Sequence, residues 1–143
     1  EAFNPMSVTI RLSDELDVSR GDMICRPANQ PRVTQDIDAM IAWMADTSAL
    51  REGAMYSIKH TTRTARAKVR DVKYRLDINT LHRDETASGL TTNEIGRVTL
   101  RTTAPLFVDE YRRNRTTGSF ILVDEDTNAT VGAGMVLGEA QQV

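Results

Sequence analysis

Apolar side chains in this chain recur at every second position far more often than at helical spacing, and that period directs the fold toward sheets. Met6, Val8, Ile10 and Leu12 alternate with Ser7, Thr9 and Arg11, which predicts a half-buried strand. Ile37, Ala39, Ile41 and Trp43 share one face of residues 36–45, and Met40 and Met44 on the other face imply burial on both sides. Strands are also expected at Met55 to Lys59, Ala65 to Asn79, Arg97 to Thr102, Ser119 to Asp124 and Thr130 to Leu137. Within Ala65 to Asn79, Ala67 and Val69 hold one parity while Val72, Tyr74, Leu76 and Ile78 hold the other. A bulge or strand break is therefore expected near Arg70, since a slip of one residue turns every later side chain to the opposite face. Threonine, 17 of the 143 residues, reinforces the strand reading because β-branched side chains fit a pleated surface.

Turn residues separate these segments at Glu52-Gly53, Thr117-Gly118 and Asp126 to Asn128. Strands this short and this closely spaced, with no sustained 3.6-residue period, predict an all-β closed antiparallel barrel or a sandwich. Before them, an acidic turn at Ser13 to Asp17 and the turn Ser19-Arg20-Gly21-Asp22 lead to a short strand at Met23 to Cys25. Pro27, Asn29 and Pro31 then fall within five positions, and prolines lack a ladder donor, so a linker and domain boundary is placed near residues 28–33. The segment before it is too short to bury a core, and is expected to be the end of a domain that starts upstream.

Composition narrows the class. Hydrophobic residues at 40%, charged residues at 27% and a formal net charge of −2 exclude a disordered chain and a uniformly basic nucleic-acid binder. The single cysteine, Cys25, excludes an intrachain disulfide framework and a multi-cysteine zinc site; at the end of an apolar strand it is expected to be a buried, inert thiol. No apolar run approaches the roughly 20 residues of a membrane helix, so a cytoplasmic protein with no membrane partner is expected.

No phosphate-cradling motif is present. The sequence lacks Gly-x-x-x-x-Gly-Lys-Ser/Thr and Gly-x-Gly-x-x-Gly, and Gly132-Ala133-Gly134 reads as glycine for close strand packing. His60 and His82 stand too far apart, without local second ligands, to read as a metal pair. The acid pairs Asp14-Glu15, Asp84-Glu85, Asp109-Glu110 and Asp124 to Asp126 read as turn caps or solvated edges. No catalytic, cofactor-binding or metal-ligating residue is assigned. One charge concentration has content: Lys59, Arg63, Arg66, Lys68, Arg70, Lys73 and Arg75 against Asp71 alone give +6, which leaves −8 for the remainder. Arg66, Lys68 and Arg70 share a strand face, so Lys59, His60, Arg63, Arg66, Lys68 and Arg70 form a candidate docking surface for an acidic partner. A solvated or edge-protecting strand face and nucleic-acid or phosphate binding are the competing uses.

Several stretches in order resemble one family: SRGDMI at 19–24, Trp43-Met44, KHTTRT at 59–64, YRLDINTL at 74–81, NEIGRV at 93–98, Asn114-Arg115, TGSFIL at 117–122 and TVGAGM at 130–135. Together they resemble the carboxy-terminal half of the GTPase subunit of bacterial sulfate adenylyltransferase, itself similar to elongation factor Tu. The resemblance implies an antiparallel Greek-key barrel of the translation-factor third-domain type over residues 34–143. Residues 29–33 are then the linker, and residues 1–28 the closing strands of a second barrel. It also implies a parent protein in which GTP hydrolysis is coupled to making adenosine 5′-phosphosulfate from ATP and sulfate, sometimes fused to an adenylylsulfate kinase. GTP and Mg2+ would then sit in a GTPase domain outside this chain and ATP in a small adenylyl-transferring subunit. This region by itself would be no enzyme; it would brace its own GTPase domain and dock that subunit. A translation-factor-type RNA-binding barrel is the alternative, which a sequence pI near 5.7 disfavours.

Overall fold

A computed structural model describes residues 1–140, and nine strands but no α-helix are found among them. The strands are β1 (Arg32–Trp43), β2 (Leu50–Arg51), β3 (Met55–His60), β4 (Arg63–Leu76), β5 (Arg83–Asp84), β6 (Gly89–Leu90), β7 (Ile95–Val108), β8 (Ser119–Val123) and β9 (Thr130–Glu139). Antiparallel pairing runs β3-β8-β9-β1-β7-β4, and β4 returns to pair with β3, which closes a six-stranded barrel. Closure leaves the barrel strands without a free edge. β5 extends β4, and β2 with β6 forms a small separate ladder.

The alternating pattern points inward as expected. Ile37, Ala39, Ile41, Trp43, Ile58, Ala67, Val69, Leu100 and Leu122 are buried in one core. Trp43 meets Tyr56 edge to face with centroids 5.3 Å apart, and its indole N–H donates to the Ser48 carbonyl at 2.7 Å. Gly134 lets two strands close over Phe120: a Cβ there would stand 2.1 Å from the ring Cζ. The glycines of Gly132-Ala133-Gly134 thus serve strand packing.

The parity switch in β4 is a bulge, with pairing to β7 shifting between Val69 and Asp71 and again between Val72 and Tyr74. β7 runs beyond the expected Thr102 to Val108, because Pro105 falls where the β1–β7 register shifts and no regular ladder bond is lost. β4 stops at Leu76 instead of Asn79.

Two expectations before the linker are corrected. Met6 to Leu12 and Met23 to Cys25 carry no strand, and Met6, Val8, Ile10 and Leu12 are 45% to 61% exposed. An alternating segment becomes a strand only against a ladder partner, and none lies beside it among the described residues. Cys25 is accordingly exposed, not buried. The turn at residues 19–22 is present, with Gly21 at φ +102° and the Ser19 amide donating to Asp22 Oδ2. A single 3-10 turn, Pro27–Asn29, leads into β1.

Candidate docking surface

The β3–β4 hairpin turns on two residues, Thr61 and Thr62, with Thr61 at φ +50°. Strand alternation then sends Ala65, Ala67 and Val69 inward and Arg66, Lys68 and Arg70 outward, so the basic stripe exists as a face. Its members differ sharply in surroundings.

His60 leaves the surface: it is 1% exposed, and its Nε2 lies 2.6 Å from the Thr117 carbonyl oxygen, so the ring ties β3 to the 109–118 loop. Arg63 is held three ways. It donates to the Pro105 carbonyl at 2.7 Å and to Asp22 Oδ1 at 3.3 Å, and its guanidinium stacks 4.7 Å from the Phe107 ring centre. Arg66 is clamped in two parallel bonds to Glu125, 2.7 and 2.8 Å long, which raise its already high pKa. Arg70 approaches Asp36, whose buried carboxylate also receives Arg101. Lys73 pairs with Asp71, and Arg75 with both Asp84 and Glu94.

Lys59 and Lys68 are exposed and form no ion pair among the described residues. The formal +6 of residues 59–75 is thus largely answered by carboxylates from other elements: Asp22, Asp36, Asp84, Glu94 and Glu125. Pairing extends along the outer face, where Asp38 on β1 receives Arg97 from β7 at 3.0 Å and the bond lifts the arginine's pKa. Such a lattice orders a surface, and leaves two lysines as its available charges. The sequence alone offered no signal for this pairing, since every partner lies on a distant segment.

Asp84 and Asp124 act as the turn caps expected of them, and Asp77, which is not among the expected acids, does the same. Asp124 accepts the amides of Asp126 and Thr127, Asp84 accepts that of Thr86, and Asp77 those of Asn79 and Thr80; these bonds hold all three carboxyls below the ordinary aspartate value. Among the described residues, no group of three or more His, Cys, Asp or Glu side chains could hold a metal ion, and no helix is long and apolar enough to cross a membrane.

A closed six-stranded antiparallel barrel with an ordered, charge-paired outer face is the class that the geometry defines. The structure of Sup35 complexed with GDP superimposes with a TM-score of 0.71 over 80% of this chain and 28% of that one, at 22% identity, so the likeness is one of fold. The Sup35 structure with GMPPNP gives 0.72 over 81% of this chain and 28% of that chain, at 20% identity. Residues 36–137 match the GTP-eEF1A C-terminal domain-like family, and the chain belongs to it. It is 62% identical over 137 residues to the bifunctional enzyme CysN/CysC of Mycobacterium tuberculosis, covering 96% of this chain and 22% of that protein. It is 41% identical over 141 residues to sulfate adenylyltransferase subunit 1 of Bacteroides fragilis, covering 99% and 29%. The chain therefore spans between a fifth and a third of the length of these relatives.

Proposed function

We propose that this chain is the non-catalytic, carboxy-terminal barrel region of the GTPase subunit of a sulfate adenylyltransferase. In that enzyme GTP hydrolysis is coupled to the synthesis of adenosine 5′-phosphosulfate from ATP and sulfate in the cytoplasm. The observation that carries the reading is the 62% identity to CysN/CysC across nearly the whole chain, in a segment that folds as a translation-factor-like barrel. GTP and Mg2+ belong on this reading to a GTPase domain, and ATP to a small adenylyl-transferring subunit.

On this reading residues 34–143, of which the last three lie outside the described residues, belong to the third barrel, 29–33 are the linker and 1–28 the closing strands of a preceding barrel. The exposed Met6, Val8, Ile10 and Leu12 support that division, because an alternating apolar face is stable in water when a sheet covers it. The barrel braces the GTPase domain and docks the small subunit. Of the six residues of the stripe, Lys59 and Lys68 offer the charge for an acidic partner, while Arg63, Arg66 and Arg70 hold the surface in shape. That commitment of arginines also disfavours RNA binding, which draws on unpaired cations.

Reconstitution tests the reading. The full-length protein mixed with its small subunit, ATP and sulfate is expected to form adenosine 5′-phosphosulfate in a GTP-dependent manner. Product formation indifferent to GTP would refute it.

A further inference from the structure

The outer wall of the barrel has two different faces. Over β1, β7 and β4 it is laid with ion pairs: Asp36 with Arg101 and Arg70, Asp38 with Arg97, and Asp71 with Lys73. Over β3, β8, β9 and β1 the ladder instead sets Lys59 beside Ile121, Ile121 beside Ala133 and Ala133 beside Ala42, one row across four strands. The two alanines, both half-buried, leave a trough between taller neighbours, since Ile121 and Met135 are 36% and 39% exposed. The result is an open cleft of about 500 Å³, lined also by Lys59 and by Tyr111 and Thr116 of the loop between β7 and β8.

Charge sets this cleft apart. Four other clefts of similar size are each lined by two or more carboxylates, whereas this one is lined by a lysine and no carboxylate, in a chain whose net charge is −2. Its rim is ordered in advance: Asn114 Oδ1 accepts the amides of Thr116 at 3.0 Å and Thr117 at 3.3 Å, and the Tyr111 amide donates to the Val136 carbonyl at 2.9 Å. Arg115 stands 5.9 Å from the Tyr111 ring centre, and neither it nor Lys59 forms an ion pair among the described residues. The acids of the same loop, Asp109 and Glu110, line a neighbouring cleft with Gln30 and Pro31. An apolar trough with unpaired cations at its rim is complementary to a surface that carries carboxylates beside an aliphatic side chain. A nucleic acid fits it poorly, because the floor offers no phosphate contact and Tyr111 already faces Arg115. Open on the outer wall, the trough also lacks the enclosing sides with which a small-molecule site buries its ligand.

We infer that this cleft is the seat of an acidic segment of a partner protein, which lays an aliphatic side chain over Ala42 and Ala133 and sets carboxylates against Lys59 and Arg115. The identity of the partner, the small adenylyl-transferring subunit, rests on the function proposed above; the chemistry of the segment rests on the cleft. Lys59 thereby acts at the edge of a desolvated contact, where its charge is screened less than on an open strand face.

The experiment uses the full-length protein and its small subunit, with affinity read by calorimetry or analytical ultracentrifugation at low and high salt. Ala133→Glu fills the trough and places a carboxylate against the incoming acid, so it is expected to weaken association about tenfold or more with an unchanged melting temperature. Lys59→Met keeps the length of the side chain without its charge, and is expected to weaken association less and to flatten its salt dependence. A photo-crosslinking phenylalanine analogue at Ile121 is expected to capture the small subunit at a segment where Asp or Glu adjoins an aliphatic residue. Should Ala133→Glu lower the melting temperature, Lys59→Met and the crosslink decide the matter. Unchanged affinity in Lys59→Met together with no crosslink to the small subunit, while the unsubstituted proteins associate and couple GTP to product, overturns the cleft and leaves the proposed function standing. A crosslink to the chain's own GTPase domain or to a second copy overturns the assignment of the occupant. Failure of the unsubstituted proteins to associate overturns both.

Discussion

Arg63 and Asp22 meet across the junction between the barrel and the segment before it, Nη2 to Oδ1 at 3.3 Å. The same guanidinium rests on Phe107 and donates to Pro105, so one side chain joins the β3–β4 turn, the end of β7 and the turn at Gly21. Gly21 completes the fit: a Cβ there would lie 3.0 Å from Arg63 Nε, at a φ of +102° that side chains resist.

Arg63→Ala removes a cation–π contact and a hydrogen bond from an ordered site and is expected to cost about 1–2 kcal/mol. Asp22→Asn loses the exposed ion pair and keeps one side-chain oxygen for the Ser19 amide, so it is expected to cost less, about 1 kcal/mol or under. Denaturant titration checks the order. Arg63→Ala should also speed limited proteolysis within residues 1–26, and equal cleavage rates would show that the latch does not restrain that segment.

Gly134→Ala places a methyl group into the Phe120 ring, which is itself buried. Overpacking of this kind costs typically about 1–3 kcal/mol, and more where a ring must move. A thermal melt should show a clear loss, and Phe120→Leu in the same chain should recover part of it by making room.

Asp77, Asp84 and Asp124 have folded-state pKa values below those of the unfolded chain, since turn amides and hydroxyls bond their charged forms. A depressed carboxyl pKa contributes stability that is present above the unfolded value, about 3.9, and is lost as pH falls through the folded one. The melting temperature is therefore expected to drop below about pH 4, and Asp124→Asn should flatten that drop while lowering stability at neutral pH.

Strand periodicity made the barrel readable at β1, β3, β4, β8 and β9, and even the bulge near Arg70 follows from parity alone. β7 continues past the expected Thr102 through a register shift that accommodates Pro105, and residues beyond such a shift no longer share the parity of those before it. The two-residue strands β2, β5 and β6 are too short to carry a period. Met6 to Leu12 shows the converse, a period without a ladder partner among the described residues. For the docking face, alternation placed Arg66, Lys68 and Arg70 on one side, but which cation is already bound depends on residues such as Glu125, 59 positions away from Arg66. His60 shared the sequence neighbourhood of the stripe and yet points to the core, as parity with Ile58 requires.

The central claim, that this barrel couples a GTPase to a partner through its unpaired lysines, is tested most directly by Lys59→Glu/Lys68→Glu in the full-length protein. GTP hydrolysed and adenosine 5′-phosphosulfate formed would be measured together in the presence of the small subunit. The prediction is intact basal GTP hydrolysis with at least a tenfold loss of product per GTP, deepest at low salt, where the reversed charges repel most strongly. A ratio of product to GTP unchanged from the unsubstituted protein would contradict the account.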